Sequence, residues 1–442
     1  MARMERQFAE PRALAVRAPV RPPKKEPSMT SELIDLTPSA TGIETDLHQE
    51  FAAARKAGPL VPAVLLGLPG WVATGQEVAR DLFTDPRLSS NPRLAAPHLK
   101  EIAPWAFAQI TAGFAPSMLS SDQPDHTRLR RLVSSAFTTR RVEALRPRTQ
   151  EICDELLARM LPHGHADLIE DFAVELPLRV VMELLGVPVE DRHSFREWSV
   201  VAVSDPEDPA RTLAALASIH GYLDDLISRK SAEAARGTAG GEHEQDLLTA
   251  LIAARDEGGR LHAAELLSMT FLLLLAGHET TTNLIGNGTL MLLRDPVLLR
   301  TLRDDPSLTG ASIEEFIRLD SPVAVAALRF ATEEIRMGDA VVAPGEVVFI
   351  ATGATGRDPD VYLDPDVPDL HREPARHLGF GHGIHFCIGA ALARMEADIA
   401  FRGLLSACDD LALGVPEKDL RWRRSPHIRG LRNLPVVFSP RP

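Results

Sequence analysis

A chain of 442 residues that is 45% apolar has ample material for a core, and its length allows either one large helical domain or two to three smaller ones. A formal charge of -13 argues against general nucleic-acid binding, and three cysteines, Cys153, Cys387 and Cys408, make no disulfide framework and point to a reducing compartment. No run approaches the roughly twenty apolar residues of a membrane span, and the amino terminus lacks the apolar segment of a signal peptide, so a cytoplasmic protein without a membrane partner is expected.

Residues 1–28 carry seven Arg or Lys against three Asp or Glu, with Pro11, Pro19, Pro22, Pro23 and Pro27 among them. Such a segment has little to bury and reads as a disordered basic, proline-rich extension. One folded domain is expected over 29–442. Helical spacing begins at Leu47 to Lys56, apolar alternation over Leu60 to Thr74 suggests a small hairpin, and Gln76 to Phe83 is a short helix. Ser89 to Ser121 is irregular and proline-broken, a loop length that is usually functional or mobile. Asp125 to Arg141 then reads as a basic helix with His126 and Arg130 four apart on one face. On spacing alone, that stripe is most simply a solvated one.

Helical periodicity continues over Gln150 to Leu161, Phe172 to Leu185, Asp191 to Val203, Pro209 to Ala235 and Glu244 to Asp256, with Gly237 to Gly241 as a flexible link. A long apolar helix spans about Ala263 to Leu293 and contains Ala276-Gly277-His278-Glu279-Thr280-Thr281. Burying a carboxylate there is costly without a partner, so a polar group must lie near Glu279. Gly277 removes a side chain where a flat ligand would need room, and His278 has no evident duty. Glu315 and Arg318 are three apart on a helix over Ile313 to Asp320 and can meet. Ile335 to Ile350 reads as strands turning at Pro344-Gly345, and Trp422 to Phe438 as closing strands.

The most informative stretch is Phe380-Gly-His-Gly-Ile-His-Phe-Cys-Ile-Gly389. It sets Cys387 just before Ala390 to Met395, which read as the first turns of a helix, whose unpaired amides favour a thiolate. Gly381, Gly383 and Gly389 allow unusual backbone angles and a close approach of amides to the sulfur and to a flat ligand. By residue type alone a lone cysteine is most often an inert buried hydrophobe. His377, His382, His385 and Cys387 could also suggest zinc, but the paired ligand spacings of zinc sites are missing.

The Cys387 loop, with Phe380, Gly381, Gly383, His385, Cys387 and Gly389 in place, resembles the haem-binding loop of the haem-thiolate monooxygenases, the cytochrome P450 family. The small residue, Gly, acid, Thr pattern at Ala276, Gly277, Glu279 and Thr280, the Glu-x-x-Arg at Glu315 and Arg318, and the His and Arg at 126 and 130 are similar to that family in order. The resemblance implies a mainly α fold with a smaller β-rich region, haem b held between the long helix and the Cys loop, and Cys387 as axial iron ligand. It further implies haem propionates on His126, Arg130 and Arg329, haem contacts from Ala276, Gly277, Phe380, Gly381 and His385, and proton delivery to dioxygen by Glu279 and Thr280. Arg372 would join Glu315 and Arg318 in a structural brace. Thr355-Gly356-Arg357 departs from the usual Ala-Asn-Arg of bacterial members.

The implied reaction is hydroxylation or epoxidation of an apolar small molecule, of the kind tailored in polyketide and macrolide secondary metabolism. No flavin or iron-sulfur motif is present, so electrons would come from NAD(P)H through a ferredoxin and its reductase, docking near Arg131, His382 and Arg394. A monomer is expected. Other readings are a haem sensor without turnover, a non-oxidising accessory subunit, and peroxide-driven or coupling chemistry on the same fold.

Overall fold

The computed structural model describes residues 33–37, 47–108, 112–204, 208–236, 246–256, 261–372, 376–425 and 427–441. The basic extension over 1–28 and the link at 237–241 lie outside them. Helices follow in the order α1 (Leu47–Ala57), α2 (Gln76–Thr84), α3 (Pro97–Ile102), α4 (Asp125–Ser134), α5 (Thr139–Met160), α6 (Glu175–Leu185), α7 (Arg192–Ser204), α8 (Pro209–Ala235), α9 (Leu247–Asp256), α10 (Ala263–Arg294), α11 (Pro296–Asp304), α12 (Thr309–Leu319), the single turn α13 (Thr352–Thr355) and α14 (Ala390–Ala407). The strands are β1 (Ile34–Asp35), β2 (Val61–Leu65), β3 (Leu68–Ala73), β4 (Leu88–Ser89), β5 (His165–Asp167), β6 (Arg329–Ala331), β7 (Ile335–Met337), β8 (Ala340–Val342), β9 (Val347–Ile350), β10 (Cys408–Leu413) and β11 (Pro435–Pro440).

The expected mainly helical architecture with a smaller strand-rich part is what forms. A mixed six-stranded sheet runs β1-β2-β3-β9-β6-β4, and β10-β11-β5 make a second, antiparallel one. α10 is apolar on nearly every side because it is the central rod of the largest core cluster, where α6, α8, α9 and α14 pack against it. Among the described residues, no helix is long and apolar enough to cross a membrane.

Three expected elements change. Of the closing strands expected over Trp422 to Phe438, only β11 forms among the described residues, with Trp422 and Leu431 joined by a single isolated bridge. The basic helix does not run to Arg141: it ends at Ser134, whose hydroxyl donates back to the Arg130 carbonyl at 2.7 Å, and after a short 3-10 turn the extended Thr138 starts α5. The strands over 335–350 turn twice. Gly338, at φ +59°, closes the β7-β8 hairpin, whereas Gly345, at φ +82°, passes the chain from β8 to β9 in the larger sheet.

Candidate active site

The Cys387 loop is a knot of backbone bonds. The Cys387 amide donates to the Phe380 carbonyl at 2.8 Å, and the Gly381 amide to that of Leu378 at 2.8 Å. Gly381 and Gly383 sit at φ +73° and +69°, as the loop requires, while Gly389 has ordinary angles and caps α14. A Cβ on Gly383 would meet the Thr84 methyl at 2.8 Å, so glycine also lets the loop rest on the end of α2. Cys387 is reachable by solvent yet surrounded by protein atoms, the position of a residue on the wall of a recess. Burial pushes its thiol up, against the Gly389 amide and the charges of Arg130 and Arg394, which pull it down. The thiolate is therefore not favoured by the protein alone, contrary to expectation, because only part of the helix-start field offsets the loss of water. A coordinated metal cation would ionise such a thiol outright.

Beside the loop, four expected residues come together. The His126 and His385 rings lie 4.4 Å apart between centroids, and Arg130 donates to the Phe386 carbonyl at 2.7 Å. Among the described residues Arg329, 3% exposed, donates only to the carbonyls of Ala327 and Leu328. Both ring nitrogens of His126 are buried with no hydrogen-bond partner among the described residues. Burial and the charges of Arg329, His126 and Arg130 hold the His385 imidazolium down to about 3, and burial lowers Arg329 to about 10. The nearest acid, Asp122, already accepts from the Ser89 hydroxyl and, at 2.8 Å, from the Ser90 amide. This cluster is short of negative charge, and two carboxylates would supply it. The residues thus fit a haem with its propionates.

α10 presents two different faces. In the middle of this buried rod Ala276 is exposed, and Leu272, Leu275, Gly277 and Thr280 are partly open. The Thr280 hydroxyl donates to the Ala276 carbonyl at 2.9 Å, which leaves its lone pairs to accept. Glu279, one residue earlier, points about 100° away around the helix and is 3% exposed. Arg423 donates to it at 2.8 Å, and His278 Nε2 lies 3.3 Å from its other oxygen. Burial pushes the Glu279 carboxyl up, but Arg423 and His278 outweigh it and leave the group below its ordinary value. The required polar partner is Arg423, 144 residues away, and no local pattern in the sequence announces it. A Cβ on Gly277 would meet Val181 Cγ2 at 2.8 Å, so this glycine permits the close crossing of α6.

Glu315, Arg318 and Arg372 form the expected brace. Arg318 holds both Glu315 oxygens at 2.7 Å, Arg372 reaches Glu315 at 3.2 Å, and the Asp369 amide donates to it at 2.9 Å. Arg318 also donates to the carbonyls of Gly356 and Pro365, pinning the segment that leads to the Cys loop. The Thr355-Gly356-Arg357 departure is accommodated there, because the Gly356 Cα packs against the Arg318 carbonyl where any Cβ would collide. Of the three docking candidates, Arg394 is already neutralised: it grips Glu314 at 2.5 and 2.8 Å and lies over the Phe380 ring. Arg131 is exposed. The zinc alternative fails on placement, since His377 bonds Glu314 and His385 bonds Ser90, and the described residues hold no cluster of three metal-ligating side chains.

Residues 199–413 match the family described as Cytochrome P450. Cytochrome P450 107B1 of Saccharopolyspora erythraea is 44% identical over 411 residues, covering 92% of this chain and 98% of the relative. Vitamin D(3) 25-hydroxylase of Pseudonocardia autotrophica is 42% identical over 396 residues, 89% of this chain and 94% of the relative. The solved structure of the tirandamycin C-bound P450 monooxygenase TamI aligns with a TM-score of 0.82 at 42% identity, over 89% of this chain and 98% of that one.

Proposed function

The chain belongs to the cytochrome P450 family of monooxygenases, and from that premise we propose that it places one oxygen atom of O2 into a C–H bond or alkene of an apolar small molecule of the polyketide or macrolide type. The observation that carries the site assignment is the anion-deficient cluster of His126, Arg130, Arg329 and His385 beside an open Cys387. Haem b, when bound, supplies the iron at which dioxygen is reduced by electrons from NAD(P)H. Cys387 would hold the iron, and His126, Arg130 and Arg329 the propionates, with His385 packed against them. Phe380 and Gly381 shape the loop, and Ala276 leaves the α10 face low enough for a flat group.

The remaining chemistry is proton management by this chain. Thr280 accepts a hydrogen bond at the open face of α10, because its own proton is committed to the Ala276 carbonyl. Glu279 keeps a carboxylate within a residue of that face, ionised by Arg423. Substrate class rests on TamI, whose structure is bound to tirandamycin C, while another relative is named for vitamin D(3). Electrons would arrive from an acidic ferredoxin and its reductase, with exposed Arg131 a better contact than the paired Arg394. The three cysteines are all free, which suits the cytoplasm. The test is a ferrous-carbonyl spectrum, followed by a screen of candidate substrates for a low-spin to high-spin shift and product formation with ferredoxin. A colourless protein after haem loading, or a spectrum of imidazole-held iron, would sink the reading.

A further inference from the structure

His278 matched no expected role, yet it is 1% exposed and both its ring nitrogens face oxygen atoms. Nδ1 lies 2.8 Å from the Leu274 carbonyl, which can only accept, so Nδ1 carries a proton. Nε2 faces the Ser199 hydroxyl at 3.2 Å and Glu279 Oε1 at 3.3 Å. Ser199 has one proton, and its shorter contact, 3.0 Å, is with the Arg196 carbonyl. With that proton spent on Arg196, Nε2 is left between two acceptors and must itself donate. The charged groups around the ring are Glu279 from its own helix and Arg423 beyond it, while α7 presents only Ser199 and Phe195 and α6 meets the neighbouring Gly277 through Val181.

We propose that His278 is a positioning residue for Glu279: a proton on Nε2 holds the carboxylate in place and ties it to Ser199 of α7, so that the helix packed over α10 and the acid within it share one hydrogen-bonded link. This deepens the proton-handling role proposed for Glu279 and rests on it. Only a donor at this position can do the work, so a side chain of similar length with an N–H should keep it and an apolar one should not.

The test compares His278→Gln with His278→Leu in the haem-loaded protein. The readouts are product formed and peroxide released per NAD(P)H consumed, alongside the ferrous-carbonyl band and the substrate-induced spin shift. His278→Gln should stay within about twofold of wild type and His278→Leu should lose about tenfold in coupling, the effect of one hydrogen bond to a charged group. Equal losses in both variants, or coupling unchanged in both, would overturn the proposal. Should the Leu variant fail to fold, nitrogen NMR of the histidines in the diamagnetic ferrous-carbonyl state decides: two protonated ring nitrogens at His278 support it, and a bare Nε2 refutes it. A missing carbonyl band in the wild type would instead condemn the haem-thiolate reading, which keeps the two failures distinct.

Discussion

Glu396 on α14 is fully buried, and burial pushes its carboxyl up to about 8 from an ordinary 4.5, with a side-chain hydrogen bond from Thr281 of α10 pulling the other way. The folded protein therefore keeps a proton that the unfolded chain releases. For a carboxyl raised on folding, its contribution to stability is whole below the unfolded value and drains away as pH climbs towards the folded one. The slope is about 1.4 kcal/mol per pH unit, so moving from about pH 5.5 to about pH 7.5 should remove roughly 2.7 kcal/mol. Glu396→Gln keeps the shape and cannot titrate. Urea unfolding of the haem-loaded wild type and variant at both pH values gives a double difference from which the packing cost of the amide cancels. The wild type should lose about 2 to 3 kcal/mol relative to Glu396→Gln over that interval. Parallel pH profiles for the two proteins, or a gap that moves the other way, would refute the buried-proton reasoning.

Cys387→Ser should abolish the red-shifted ferrous-carbonyl band while leaving the fold intact by circular dichroism, since the sulfur lies on a loop held by backbone bonds. Thr280→Ala should keep haem and substrate binding but divert reducing equivalents to hydrogen peroxide, measured as peroxide released per NAD(P)H. Glu315→Gln breaks a buried pair that also anchors Arg372 and the Asp369 amide, and urea unfolding should show a loss of about 3 to 5 kcal/mol. Arg131→Glu should slow reduction by ferredoxin, most at low salt, and stopped-flow rates that ignore both the charge and the salt would count against the docking face.

How much of this could be read from the chain follows from how far apart the interacting residues lie. Periodicity found α8 with both boundaries and α10 to within a residue, because long apolar helices carry their own signal. The Glu315 and Arg318 pair was legible because its members are three residues apart on one helix. The His126 and His385 contact needed the fold, as did Asp122, Ser90 and Arg423, each bonded to a partner more than thirty residues away. That Gly277 makes room for a valine methyl on the neighbouring helix also needed the fold.

Helix geometry itself separates the acid from the alcohol. Ala276 and Thr280 are one turn apart and share the open stripe of α10, so Glu279 must look elsewhere, into protein. That position would be untenable for a carboxylate without the guanidinium of Arg423, which comes from the irregular segment between β10 and β11. The same segment pairs back through the Val323 and Ile428 bridge, and its Arg429 grips Asp320 at the end of α12. Residues 422–425 and 427–431 are thus tied at once to the helix that carries the acid and to the chain that leads to Arg329.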